Sequence, residues 1–234
     1  AICSACNSWK GTPVSSVSRV ELIRFMPSPP VHSAVARVPE SRTLFNKTAR
    51  DILQVAAAML DGEVEYRRGD LDRAYASLRL FLELNFAAVH FSVNEFESRQ
   101  WNSDRADFSW SGALDEDRGV LAKGFVLEFA PTLKDDAAQY ARTAARCYRH
   151  CSQFVHGKAS VAKTLPESLE YRESVVADWC DSAKRAGEAV IFMFLVRYGF
   201  DLNAYEDDDL SEIVTSRFGH LIPVRDLLGL AAER

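Results

Sequence analysis

The sequence lacks an apolar run long enough to cross a membrane. Its longest, residues 189–196, falls far short of the roughly 20 residues that a transmembrane helix needs. The first residues, AICSACNSWKGTP, also lack the basic and apolar regions of a secretory signal. We therefore expect a cytoplasmic protein with no membrane partner.

The sequence contains few cysteines, and their number is odd. The five cysteines are Cys3, Cys6, Cys147, Cys151 and Cys180. An odd count without an export signal favours free thiols over a disulfide framework. Cys3 and Cys6 have the spacing of half a zinc site, but no second Cys-x-x-Cys or His-x-His pair follows at the usual distance to complete four ligands. Cys147, His150 and Cys151 can meet on one helical face, where packing is the expected role. We therefore expect no metal and no cofactor.

The sequence also lacks the short motifs of several large enzyme classes. It contains no G-x-x-x-x-G-K-[ST], G-x-G-x-x-G, H-E-x-x-H or G-x-S-x-G. Its net charge of −5 predicts no overall attraction to nucleic acid, so any such binding requires a local basic patch. Hydrophobic residues make up 47% and charged residues 26%, which is typical of a folded protein.

The chain divides at about residue 40. Residues 1–40 contain five of the eight prolines and favour an irregular N-terminal arm, which either binds a partner or belongs to the core. Residues 41–234 read as one all-α domain. Its first predicted helix ends near Gly62 or Gly69, and a second, capped by Asp70, reaches about Phe91.

The polar stretch 94–118 has no sustained period and is predicted to be a long inserted loop. Three of its side chains are aromatic: Trp101, Phe108 and Trp110. We expect them to pin the loop onto the helical body, the alternative being stacking on a nucleic-acid base. A short helix over 119–129 should follow and stop before Pro131.

Residues 56–79 resemble one tetratricopeptide-type helix pair, with Gly62, Tyr66, Gly69 and Ala74 near that family's small and aromatic positions. No second copy follows, whereas a solenoid needs several. The resemblance therefore predicts a helix hairpin and little about function.

The stretch 137–158, AAQYARTAARCYRHCSQFVHGK, has the strongest helical period in the chain. A small-residue seam is predicted to face the core, namely Ala137, Ala141, Ala144, Tyr148, Cys151 and Val155. Gly157 should end this helix. After a linker over 158–168, a long helix over 167–198 should pack against it, with short helices around 211–218 and 223–232.

A second set of residues repeats the same spacing beside the seam. This basic stripe comprises Arg142, Arg146, Arg149, Gln153 and His156. Arg149 and His156 lie seven residues apart, so on a helix they fall on one line about 10 Å apart. The arginine fork suits a phosphate, and the helix C-terminus favours a positively charged histidine. Such a pair can flank an extended ligand, or meet its copy across a symmetric dimer.

In the segment RHCSQFVHG, the residues Arg149, His150 and His156 resemble the Arg-x4-6-His motif of the HEPN superfamily, with His150 in the polar position after the arginine. The resemblance implies a helical bundle that acts as a homodimeric, metal-independent endoribonuclease in toxin–antitoxin or antiphage defence, with an antitoxin or sensor protein as a partner. It also implies roles. His156 transfers a proton, Arg149 stabilises the phosphorane and His150 positions the substrate, while the RNA is held by Arg142, Arg146, Gln153 and Lys158.

The alternative is a non-catalytic helical scaffold or adaptor that binds protein or RNA through its helix-pair surfaces. In that case Arg149 pairs with an acidic residue, and His156 caps the carbonyls at the helix end. The two hypotheses differ in whether these side chains are available to a ligand.

Overall fold

A computed structural model describes residues 71–158, 173–202, 208–227 and 229. The helices are α1 (Leu71–Phe91), α2 (Glu95–Asn102), α3 (Trp110–Ala113), α4 (Lys123–Phe129), a 3-10 helix (Pro131–Leu133), α5 (Ala137–Val155), α6 (Glu173–Leu202), α7 (Asp208–Phe218) and α8 (Ile222–Leu227). These residues contain no strand, so the all-α prediction is confirmed for them. The predicted N-terminal arm, the helix before Gly62, the Cys3 and Cys6 pair and the linker after Lys158 lie outside the described residues.

The core forms where α1, α5 and α6 pack against one another. Residues 189–196 of α6 are buried without interruption, so this helix has neighbours on every side at that level. The apolar run in the sequence is therefore a core helix, as expected. Among the described residues, no helix is both long and apolar enough to span a bilayer.

The residues of α5 that face the core differ from the predicted seam at every second member. At each of these places the buried residue is the one just before the predicted residue. The buried residues of α5 are Ala137, Tyr140, Ala144, Cys147, Cys151 and Phe154. Val155 is 41% exposed, and Ala141 and Tyr148 pack half-buried at the edge of the core. Both seams share Ala137, Ala144 and Cys151, and the rings of Tyr140 and Phe154 decide between them because they bury more apolar area than Ala141 or Val155.

The prediction of a long loop over residues 94–118 was wrong, because helices α2 and α3 lie within this segment. Helix α2 is polar, buries only Ser98 and carries an ion pair between Glu95 and Arg99. It therefore offers no apolar period to detect. Helix α3 has a single turn, capped by the Ser109 hydroxyl, which accepts from the Gly112 N–H at 3.1 Å.

The three aromatic residues of this segment do pin it to the body, as predicted. The ring of Trp101 lies 5.4 Å from that of Phe91, and Phe108 lies 5.9 Å from the same ring. Trp110 lies 5.0 Å from Phe86 in the core. Intramolecular packing thus accounts for these aromatic side chains.

Two glycine positions explain the boundaries of α4 and α5. The chain approaches itself closely at Gly119, where a Cβ would lie 2.5 Å from the Asp115 carbonyl oxygen. Residue 119 therefore lies in a turn, and α4 begins at Lys123 instead of the predicted residue 119. Gly157 has φ +56° and ends α5 as predicted. Helix α6 extends to Leu202 rather than Tyr198.

Candidate functional site

The basic stripe lies on the side of α5 that points away from the core. Arg142, Arg146 and Arg149 are exposed, whereas the buried residues of α5 lie on the opposite side, against α1 and α6. The sequence of α5 contains three arginines and no aspartate or glutamate. A chain of net charge −5 therefore carries a local positive surface along this helix.

The side chains of Arg149 and His156 are both exposed. Within the described residues, neither side chain forms a hydrogen bond or ion pair. The end of α5 is closed by its own backbone: the Gly157 N–H donates to the Phe154 carbonyl at 3.0 Å and the Lys158 N–H to the Gln153 carbonyl at 3.1 Å. This pair of bonds is a Schellman motif, and it leaves the His156 imidazole available to a ligand.

The side chain of His150 is 36% exposed and bonded to α6. Its Nε2 lies 3.0 Å from Oδ2 of Asp178. The Tyr75 hydroxyl of α1 donates to the same oxygen at 2.7 Å. The hydrogen bond from His150 is the main cause that holds the pKa of Asp178 below its usual range, opposed by partial burial. Asp178 is therefore a carboxylate at neutral pH.

Tyr75 joins the three core helices at this point. Its ring stacks on Phe154 of α5 with a centroid distance of 3.7 Å, and it meets the edge of the His150 ring at 5.2 Å. Burial, followed by the hydrogen bond to Asp178, raises the pKa of the Tyr75 hydroxyl. The hydroxyl thus remains protonated and acts as a donor.

A second polar cluster holds the other flank of α5 to α1. Arg79 donates to the Tyr148 hydroxyl at 2.6 Å and to Glu83 at 3.0 Å, and Tyr148 in turn donates to Glu83 at 2.7 Å. The indole of Trp110 stacks on the Tyr148 ring at 4.2 Å. Tyr148, predicted as part of the apolar seam, therefore has a polar role as well.

Four polar side chains form a contiguous patch on α5, defined as the α5 patch: Arg149, His150, Gln153 and His156. Gln153 is its centre, being three residues from each histidine and four from Arg149, which are the spacings of neighbours on a helix surface. The patch combines a guanidinium for phosphate with two imidazoles for proton transfer. Lys158 is exposed two residues after His156. The described residues contain no group of side chains that could hold a metal ion.

Sequence patterns did not indicate Asp178 or the hydroxyl of Tyr75 as site residues. Tyr75 lies among the buried apolar residues of α1, and it is 103 residues from its partner Asp178. The contact depends on how α1, α5 and α6 pack together. No local spacing in the chain encodes it.

The two cysteines of α5 are buried, and we expect them to be unreactive. Burial raises the pKa of Cys147 to about 11 and that of Cys151 to about 12. Since only the thiolate attacks, both should remain unlabelled by a thiol reagent at pH 8 in the folded protein. A variant with Cys3, Cys6 and Cys180 changed to serine isolates them; labelling of two thiols should appear only in denaturant. Rapid labelling before unfolding would contradict the packing of α5.

The chemistry of the α5 patch is inferred from its own side chains and from the residues that surround them. No protein-family model, characterised protein or solved structure matches this chain.

Proposed function

We propose that this protein is a metal-independent endoribonuclease of HEPN type, acting in a toxin or antiphage defence setting. The observation that supports the proposal is the exposure of Arg149 and His156 on the outward face of α5, without hydrogen bonds or ion pairs to other described residues. These two side chains remain available to a phosphate.

The stripe also suits an RNA backbone. Arg142 and Arg146 are exposed on α5, Lys158 is exposed just after the helix ends, and no acidic residue of α5 opposes them. Phosphate contacts of this kind supply affinity without sequence specificity. We therefore assign these three residues, with Gln153, to RNA binding.

The cleavage step needs no metal. The RNA 2′-hydroxyl attacks the adjacent phosphorus, the bond from phosphorus to the 5′-oxygen breaks, and the products are a 2′,3′-cyclic phosphate and a 5′-hydroxyl. Arg149 stabilises the charge that develops on the phosphorane. His156 transfers a proton, and His150 contacts the substrate beside them. A second copy of the chain would place another Arg149 and His156 opposite, and an antitoxin or sensor protein would control access.

The test is to incubate wild-type protein and a His156→Ala variant with mixed RNA and EDTA. Wild type should produce fragments with 2′,3′-cyclic phosphate ends, and loss of the imidazole should slow cleavage by about 10²-fold to 10⁴-fold. His220→Ala is the matched control, because His220 is exposed but lies outside α5. Its rate should equal that of wild type.

Equal cleavage by wild type and His156→Ala would overturn the assigned mechanism. An RNA complex without cleavage would instead favour the non-catalytic scaffold or adaptor.

A further inference from the structure

The contact between His150 and Asp178 determines which imidazole nitrogen carries the proton. An ionised carboxylate can only accept hydrogen bonds, so the Nε2 atom that lies 3.0 Å from Oδ2 must be the donor. In the neutral ring, Nδ1 then has no proton and presents a lone pair. The contact therefore fixes the tautomer that can accept a proton at Nδ1.

The surroundings hold both members of this pair in place. Tyr75 donates to the same Oδ2 from the buried side at 2.7 Å, so the carboxylate cannot turn away from the imidazole without losing a second bond. The rings of Tyr75 and Phe154 meet the His150 ring edge-on at 5.2 and 5.4 Å. The side chain of His150 nevertheless remains 36% exposed, so a ligand can reach the ring.

We propose that Asp178 and His150 form a dyad in which His150 is the proton acceptor of the cleavage reaction and Asp178 its positioning residue. The inference rests on the proposed ribonuclease function and changes the role of His150 from substrate contact to general base. Nδ1 of His150 takes the proton of the 2′-hydroxyl as the oxygen bonds to phosphorus. The bond to the 5′-oxygen breaks, and that oxygen takes a proton from His156. Proton exchange with solvent then returns His150 and His156 to their initial protonation states.

The placement on α5 fits this division of labour. His150 and His156 are six residues apart, which corresponds to about 9 Å along a helix. An in-line phosphate with one hydrogen bond at each end spans a similar length. Gln153 lies between the two histidines on the helix surface, and Arg149 lies four residues before it. A phosphate over Gln153 would thus meet the guanidinium and both rings.

The tautomer can be tested without any activity. Nitrogen-15 NMR of the histidine rings should show His150 with its proton on Nε2 and an unprotonated Nδ1, the signal being assigned by its loss in His150→Gln. Asp178→Asn should change this signal. Asp181→Asn should leave it unchanged, because Asp181 is an exposed carboxylate of α6 that pairs with Arg185 instead. A neutral His150 ring that carries its proton on Nδ1 in wild type would overturn the dyad.

The chemical role is tested with RNA in which sulfur replaces the 5′-bridging oxygen at the cleaved bond. A thiolate leaves without a proton, so this substrate should restore cleavage to His156→Ala but not to His150→Ala. On ordinary RNA, His150→Ala should lower kcat by about 100-fold or more, and Asp178→Asn by about tenfold, because the imidazole remains but is less well held. The Asp178→Asn variant should still fold, and its KM should be unchanged.

The outcomes separate the two proposals. If wild type cleaves RNA and His150→Ala matches it, or if the sulfur substrate restores His150→Ala instead of His156→Ala, the dyad is wrong and the ribonuclease stands. If wild type does not cleave RNA, the ribonuclease proposal fails, and the dyad fails with it as a catalytic acceptor.

Discussion

Replacing Arg149 by alanine is expected to lower kcat for RNA cleavage by about 100-fold to 1000-fold, the usual cost of removing a donor that meets developing charge. Arg149 is exposed and has no acidic partner within the described residues, so its full charge can act on a phosphate. The guanidinium fork binds two phosphate oxygens at once. Arg149→Lys keeps the charge but not the fork and should be intermediate. Single-turnover rates at saturating RNA measure the effect.

A second arginine on the same stripe separates catalysis from binding. Arg142→Ala should raise KM and reduce the dependence of binding on salt, leaving kcat within about twofold, since a backbone phosphate contact carries affinity alone. Arg99→Ala is the control, because Arg99 lies on α2 and pairs with Glu95. If Arg149→Ala behaves like Arg142→Ala, Arg149 binds RNA and does not stabilise the transition state.

Replacing Tyr75 by alanine is expected to lower the free energy of unfolding by about 3–5 kcal/mol, the range for truncating a large aromatic side chain in a core. The Tyr75 side chain is fully buried and stacks on Phe154 at 3.7 Å. Its removal leaves a cavity between α1 and α5 and deprives Asp178 of a donor. Chemical denaturation followed by circular dichroism gives the value.

Two further variants divide this loss into its parts. Tyr75→Phe keeps the ring and removes the hydrogen bond to Asp178, and it should cost about 1 kcal/mol. Phe96→Ala is the control, because a side chain that is 72% exposed should change stability by no more than about 0.5 kcal/mol. A loss below about 1 kcal/mol for Tyr75→Ala would show that Tyr75 is not part of a close-packed core.

The long helices of the described region could be predicted from the sequence because their apolar residues recur with a clear period. Helix α1 ends at Phe91, and α5 ends just before Gly157, as predicted. Helix α2 could not be found in this way, because it is largely polar and buries only Ser98, so no apolar period marks it. The HEPN type of the bundle remains a proposal, whereas its all-α class is confirmed for the described residues.

The candidate site could likewise be predicted from the sequence only in part. The position of Arg149 and His156 on the outward face followed from helical spacing alone. The prediction of which residues of α5 face the core was wrong by one position at every second member. Two sets of apolar residues share Ala137, Ala144 and Cys151, and spacing alone does not choose between them. Asp178 enters the site from another helix, so only the packed fold could reveal that His150 has a partner.

The two polar clusters on opposite flanks of α5 bear on how the protein would be regulated. Asp178 and Tyr75 hold one flank, and Arg79 and Glu83 hold the other through Tyr148. A rotation of α5 about its axis, or a slide by one turn, would break both sets of bonds at once. We therefore expect α5 to keep a constant orientation when a ligand binds its outward surface.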